Sequence, residues 1–187
     1  MTGFAHNVPA EAEFFEFDIS EYGSFERLSS FKFDAVLHLA AQSSGEISYD
    51  NPSYDVLSNT LGTLNALRFA ETNGCKRFIY ASSMSIYGDV DDEPIAVNRC
   101  PKPKSYYGIT KLSGEHYLKA FASKMDTTSF RMFNVYGPGQ NMQNLKQGMV
   151  SIYLAYLMND EPITVKGDKN RFRDFIYIDD VVDAWVS

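Results

Sequence analysis

The sequence predicts an α/β fold built on a doubly wound parallel sheet, and three observations carry that expectation. Runs with the character of strands occur at residues 33–41, 76–83 and 127–135, the first nearly continuous in apolar residues and the first two of buried character. Segments with apolar residues at helical spacing separate them, and Gly, Pro and Asn gather at the junctions. Strands that alternate with helices form parallel sheets, because a crossover helix returns the chain to the end from which a parallel neighbour must start.

The elements follow in order. "FDAVLHLAA" (33–41) is nearly continuous in apolar residues, as expected of a strand buried on both faces. From Ser53 to Asn73, the residues Val56, Leu57, Leu61, Leu64, Leu67 and Ala70 recur at helical spacing, and Gly74 stands where a helix stop belongs. "KRFIYASS" (76–83) reads as a second buried strand, followed by a loop rich in Asp and Pro over 88–104. A helix from Ser105 to about Met125, a strand "TTSFRMFNV" (127–135) and an apolar helix near 147–158 come next. "ITVKG" (163–167) and "RDFIYI" (173–178) predict short strands, and "DDVVDAW" (179–185) starts a helix from an Asp cap. No repeat, low-complexity tract or flexible linker interrupts the chain.

Composition narrows the function. The 187 residues are 44% hydrophobic, enough to bury a sizeable core, and the formal net charge of -7 disfavours a nucleic-acid binder or general attraction to anionic membranes. Only Cys75 and Cys100 are present, without metal-ligand spacing, so neither a disulfide framework nor a metal site is expected. The longest apolar stretch, residues 149–158, is too short to span a bilayer, and the N-terminus lacks a signal pattern. The expectation is a cytoplasmic protein acting on small molecules.

Ligands of such sheets collect beyond the C-terminal ends of the strands. Those ends place Ala40, Ala41 and Gln42, then Ser82 and Ser83, then Asn134 along one edge, where they could converge on one crevice. Tyr107 and Lys111 lie one helical turn apart on the next helix. A phenol titrates near pH ~10, and a neighbouring ammonium would lower that value and suit Tyr107 to acid/base work. The plainer alternative is a solvated helix face. His38 reads as a packed strand residue, His116 as an exposed helix residue, and Lys166 and Arg171 as solvated turn residues.

The pair has company. "ASSMSIYG" (81–88), "HLAA" from 38, "NTLGT" from 59, "RMFNVYGPG" from 131 and "RFRDFIYIDD" from 171, in this order, resemble the extended short-chain dehydrogenase/reductase family. Within it they are most similar to the NAD-dependent nucleotide-sugar epimerase/dehydratase group, especially UDP-glucose 4-epimerase-like enzymes. The resemblance implies a Rossmann-type NAD-binding domain over residues 1–134 and part of a substrate-binding region over 135–187. It makes Tyr107 the acid/base for the sugar 4-hydroxyl. Lys111 would tune Tyr107 and hold the nicotinamide ribose, and Ser83 would bond the same sugar oxygen. Asp18 and Ile19 would flank the adenine ring, and Leu39, Ala40, Ala41 and Asn59 would lie near the cofactor, with Gly62 and Thr63 packing close to the sheet. Asn134 and Arg173 would bind the substrate, the arginine at the diphosphate.

The implied reaction takes hydride from sugar C4 to NAD, lets the 4-keto intermediate rotate, and returns hydride to the other face. Relatives that eliminate water carry Asp-Glu after the catalytic Ser/Thr, and uronate decarboxylases carry Glu at the second position. This chain has Met84 and Ser85, so epimerisation of a UDP-hexose is expected over elimination or decarboxylation, a nucleotide-sugar dehydratase or a uronate epimerase being the alternative. Family members also open with a strand and a G-x-x-G-x-x-G turn, where backbone amides bind pyrophosphate. The chain has no such turn, and "MTGFAHN" resembles a loop after the second strand of a complete relative. The resemblance therefore implies a chain truncated at the N-terminus, without its first βαβ segment, whose rival reading is a noncatalytic remnant serving as an interaction module. Intact relatives imply a homodimer.

Overall fold

Three parallel strands organise the larger part of the chain: β1 (Ala35–His38), β2 (Arg77–Ser83) and β3 (Asp126–Met132), in the order β1-β2-β3. The register sets His38 against Tyr80 and Ser83 against Met132. The computed structural model describes residues 5–90, 94–145, 148–165, 168, 170 and 172–187. Lys166 and Arg171, expected to be turn residues, lie outside them. The chain divides into two compact units, one formed by Phe15–Met132 and the other by residues up to Phe14 together with Phe133–Ser187.

In the first unit the chain leaves β1 into two short helices, α1 (Gly45–Asp50) and α2 (Pro52–Asp55), which run through a π-helical turn (Val56–Leu61) into α3 (Gly62–Asn73). Caps explain the starts. The Ser44 side chain accepts from the Ile47 amide, and Asn51 does the same for Tyr54 ahead of Pro52. Gly74 ends α3 in the left-handed conformation at φ 83°, the predicted stop. After β2 comes a 3-10 turn (Met84–Tyr87), then α4 (Tyr106–Phe121), whose cap Ser105 accepts from the Gly108 amide.

The core lies between the sheet and α3 and α4. Phe78 and Tyr80 from β2 meet Ala66, Leu67 and Ala70 of α3, Leu118 of α4, and Phe25, Cys75 and Met125. The expectation of a β1 buried on both faces is corrected here. Leu37 is 49% and Leu39 60% exposed, because the packed helices cover the face that carries Val36 and His38. A second correction concerns the long helix. Val56 and Leu57 are exposed, and the face turned inward is the one that carries Asp55 and Asn59, one turn apart.

The second unit holds β4 (Asn134–Tyr136), α5 (Met149–Met158), β5 (Phe175–Tyr177) and α6 (Ile178–Val186), with β4 and β5 parallel. The single strand expected over 127–135 is thus broken at Phe133, and Asn134 starts a different sheet from β3. Ile163–Val165 of the expected "ITVKG" strand form no strand, while the remaining two residues of that segment lie outside the described ones. The Asp cap is also corrected. α6 begins at Ile178 without a side-chain cap, and Asp179 and Asp180 occupy its first turn, where carboxylates favour the helix dipole. No helix among the described residues is long and apolar enough to cross a membrane.

Candidate active site

Ser83, at the C-terminal end of β2, caps the turn that follows: its hydroxyl accepts from the Ser85 amide at 3.2 Å. The same side chain lies close enough to Tyr107, in the first turn of α4, to act against the rise in its phenol's pKa. Backbone proximity makes this meeting possible. A Cβ on Gly108 would stand 2.5 Å from the Ser85 carbonyl oxygen, so glycine lets α4 begin directly against the Met84–Tyr87 turn. Met84 and Ser85 sit half-buried in that turn.

Lys111 is 3% exposed, and its Nζ donates to the carbonyl of Ala81 on β2 at 2.9 Å. The ammonium lies 5.2 Å from the ring centre of Tyr80 and 5.7 Å from that of Tyr107. A solvated helix face is excluded by this burial. Electrostatics corrects the other expectation. Burial pushes the Tyr107 phenol above its ordinary value; the Ser83 side chain opposes that shift and the Asp55 charge adds to it. The Lys111 ammonium itself is pushed down to about 8 by burial, with Asp55 acting to raise it.

Behind the pair is a polar network that the sequence reading missed. Asn59, which is 0% exposed, accepts from the Gln42 amide at 2.8 Å and donates to Thr110 Oγ1 at 3.1 Å and Asp55 Oδ1 at 3.2 Å. Gln42 Nε2 donates to Asp55 Oδ1 at 2.6 Å, and the Thr110 hydroxyl donates to Asp55 Oδ2, also at 2.6 Å. One signal was available: Asp55 and Asn59 stand one turn apart on a segment whose other spacing is apolar, and Thr110 lies between Tyr107 and Lys111.

The other expected positions are also resolved. Leu39 and Ala40 are exposed and Ala41 half-buried just beyond β1. Asp18 is exposed and accepts from the Ser20 amide at 2.8 Å; Ile19 packs over Gly62, where a Cβ would meet Ile19 Cδ1 at 2.6 Å. Thr63 hydrogen-bonds His38 Nε2 at 3.0 Å, and His38 stacks on Tyr80. Burial, reinforced by the Lys111 charge, lowers the His38 pKa to about 3, so the ring is a neutral packed group. His116 is exposed. In the second unit, Asn134 Nδ2 donates to the Asp174 carbonyl at 2.8 Å and Arg173 Nη1 to that of Phe172 at 3.1 Å. The sheet edge therefore gathers Ser83, Tyr107 and Lys111, but Asn134 belongs to the β4–β5 sheet. No metal-ligand cluster occurs among the described residues.

The model of the NAD dependent epimerase/dehydratase family matches residues 1–187. The chain belongs to this family. Its relatives in the epimerase/dehydratase family include a putative UDP-glucose 4-epimerase of Methanocaldococcus jannaschii, 32% identical over 186 residues, which cover 98% of this chain and 61% of that protein. Among solved structures, a UDP-glucose 4-epimerase of Thermotoga maritima with UDP-glucose is 36% identical with a TM-score of 0.92, covering 98% of this chain and 60% of that one. A Thermus thermophilus UDP-glucose 4-epimerase in complex with NAD is 32% identical with a TM-score of 0.89, covering 99% and 62%. The chain thus spans about three fifths of the length of these relatives, and its fold is the parallel-sheet, Rossmann-like α/β fold predicted above.

Next to the site, an ion pair joins three elements. Arg131 on β3 contacts both carboxylate oxygens of Glu115 on α4 at 2.9 and 2.8 Å, while Ser82 on β2 donates to the same carboxylate at 2.6 Å. Burial acts to raise the Glu115 carboxyl, but the Arg131 and Ser82 hydrogen bonds outweigh it and hold the group below its ordinary 4.5. This stabilisation is present above pH 4.5 and is lost as acid protonates the carboxylate. Arg131→Met, which strands the Glu115 charge, is expected to cost about 3 kcal/mol in urea unfolding at pH 7 and much less near pH 3.

Proposed function

We propose that the protein is an NAD-dependent nucleotide-sugar 4-epimerase, with UDP-glucose as the sugar nucleotide. The observation that carries this reading is the buried Lys111 ammonium, held by the Ala81 carbonyl of β2 and 5.7 Å from the Tyr107 ring centre, at the strand end that carries Ser83. The similarity of nearly the whole chain to UDP-glucose 4-epimerases supports it.

The residues present fit the nicotinamide half of the cofactor. An ammonium has three donors, and the hydrogen bond from Lys111 to Ala81 takes one, leaving capacity for ribose hydroxyls. Leu39 and Ala40 leave the end of β1 open for a flat group to approach backbone. Asp18 and Ile19 would meet the adenine ring, and Asn59 supports the strand end through Gln42. No G-x-x-G-x-x-G turn for the pyrophosphate occurs in the sequence. Bound NAD would take up and return a hydride at its ring and bring a positive charge beside Tyr107.

The chain supplies proton transfer and orientation. Tyr107 would take the proton of the sugar 4-hydroxyl and give it back, and Ser83 beside it would hold the same sugar oxygen. Lys111 would favour the phenolate once that proton is in motion. Asn134 and Arg173 would engage the nucleotide sugar, the guanidinium at its diphosphate. In this reading residues 1–134 form the cofactor-binding part and 135–187 belong to the substrate-binding part. Met84 and Ser85 provide no carboxyl group for elimination or decarboxylation.

Product analysis tests this assignment. Incubation of the protein with NAD and either UDP-glucose or UDP-glucuronate should yield UDP-galactose from the first. A 4-keto-6-deoxy sugar, or carbon dioxide released from the uronate, contradicts the assignment.

A further inference from the structure

Asp55 is a carboxylate at the end of α2 with 0% exposure, a costly place for a charge unless the site requires it. Three side chains converge on it. Gln42 Nε2 and Asn59 Nδ2 donate to Oδ1 at 2.6 and 3.2 Å, and the Thr110 hydroxyl donates to Oδ2 at 2.6 Å. Each donor comes from a different part of the fold: the end of β1, the π turn and α4. Thr110 is the residue before Lys111, and its hydroxyl also lies 3.0 Å from the Tyr107 carbonyl oxygen. The carboxylate is therefore fixed against the helical turn that carries both members of the pair.

We infer that Asp55 is a positioning residue for Lys111: the buried counter-charge that keeps its ammonium protonated inside the fold, held in place by Gln42, Asn59 and Thr110. The inference rests on the proposed acid/base role of the Tyr107–Lys111 pair. The titratable groups facing Lys111 are His38 from β1, Tyr80 from β2, Tyr107 on its own helix and Asp55 from α2. His38 is neutral and both tyrosines are raised by burial, so they offer no negative charge near neutral pH. Glu115, one turn beyond Lys111, is engaged by Arg131 and Ser82. Asp55 remains as the anion whose charge opposes the effect of burial on Lys111.

Asp55 and Asn59 lie one turn apart on the same inward side, and Asn59 accepts from the Gln42 amide and donates to Thr110. A leucine at either position would suit the helix and the core better. The polar pair makes sense if a charge is needed there.

The test is a pH titration of the lysine ε-carbons by NMR in the full chain, without cofactor or substrate, the Lys111 signal being identified by its loss in Lys111→Met. Wild-type Lys111 should titrate near pH 8, and Asp55→Asn should move that midpoint down by about one unit. Thr110→Val removes one of the three donors but keeps the carboxylate, so it should lower the midpoint by clearly less than Asp55→Asn does. An unchanged midpoint in Asp55→Asn overturns the inference, as does an equal shift in Thr110→Val, which would make the effect one of packing. If Asp55→Asn loses its near-ultraviolet circular dichroism, Asp55→Ser, which leaves room for water, carries the same expectation. An inactive protein that shows the shift leaves the inference standing and removes the functional reading; an active protein without it does the reverse.

Discussion

Tyr107→Phe is expected to lower 4-epimerase turnover by roughly 10²–10⁴-fold while leaving the fold in place. The substitution keeps the half-buried ring against Lys111 and removes only the hydroxyl on the side of Ser83. Ser83 retains its hydrogen bonds with Ser85, so no buried group is left without a partner. The expected result is a loss in kcat with a thermal midpoint close to wild type, measured by product formation and calorimetry. The direction of the Tyr107 shift adds a condition. Because burial raises the phenol, it holds its proton at neutral pH in the protein alone, and accepting a proton requires added positive charge in the pocket. An equally active Phe variant would remove Tyr107 from the chemistry.

Lys111→Met is expected to weaken NAD binding by at least about tenfold, as the loss of a charge-assisted contact to the ribose implies. Methionine fills the buried channel of the lysine stem but cannot donate to Ala81 or to a ribose hydroxyl. A pH signature accompanies the effect. With its pKa pushed down to about 8, Lys111 is charged below that pH and neutral above it. Wild-type NAD affinity should therefore fall as pH rises through 8, and the Met variant should lack that step. Titration calorimetry at pH 7 and pH 9 reads both effects, and identical affinities for the two proteins would contradict the role given to the ammonium.

Much of the fold was legible because its signals are local. The apolar runs around Leu37, Ile79 and Phe130 became the three parallel strands, and Gly74 ended α3 as expected. What failed depended on tertiary context. The exposure of Leu37 and Leu39 follows from which face the helices cover, and the break at Phe133 follows from Asn134 pairing with Phe175, some forty positions away. Apolar spacing could not show that Val56 and Leu57 face outward while Asp55 and Asn59 face inward.

The candidate site divides in the same way. Ser83, Tyr107 and Lys111 carry a motif and were found by it, and Gln42 was placed at the strand ends, whereas the contacts that join Gln42 and Thr110 to Asp55 are tertiary distances. The direction of the Tyr107 shift was missed because a charged neighbour is visible in sequence and the burial that outweighs it is not.

The most direct test of the central claim is titration of the purified protein with NAD by calorimetry, paired with assay of any cofactor released on denaturation. Saturable binding that disappears in Lys111→Met is the predicted result and places the cofactor at the Ser83–Tyr107–Lys111 edge. A folded protein that neither carries nor binds NAD would contradict the account.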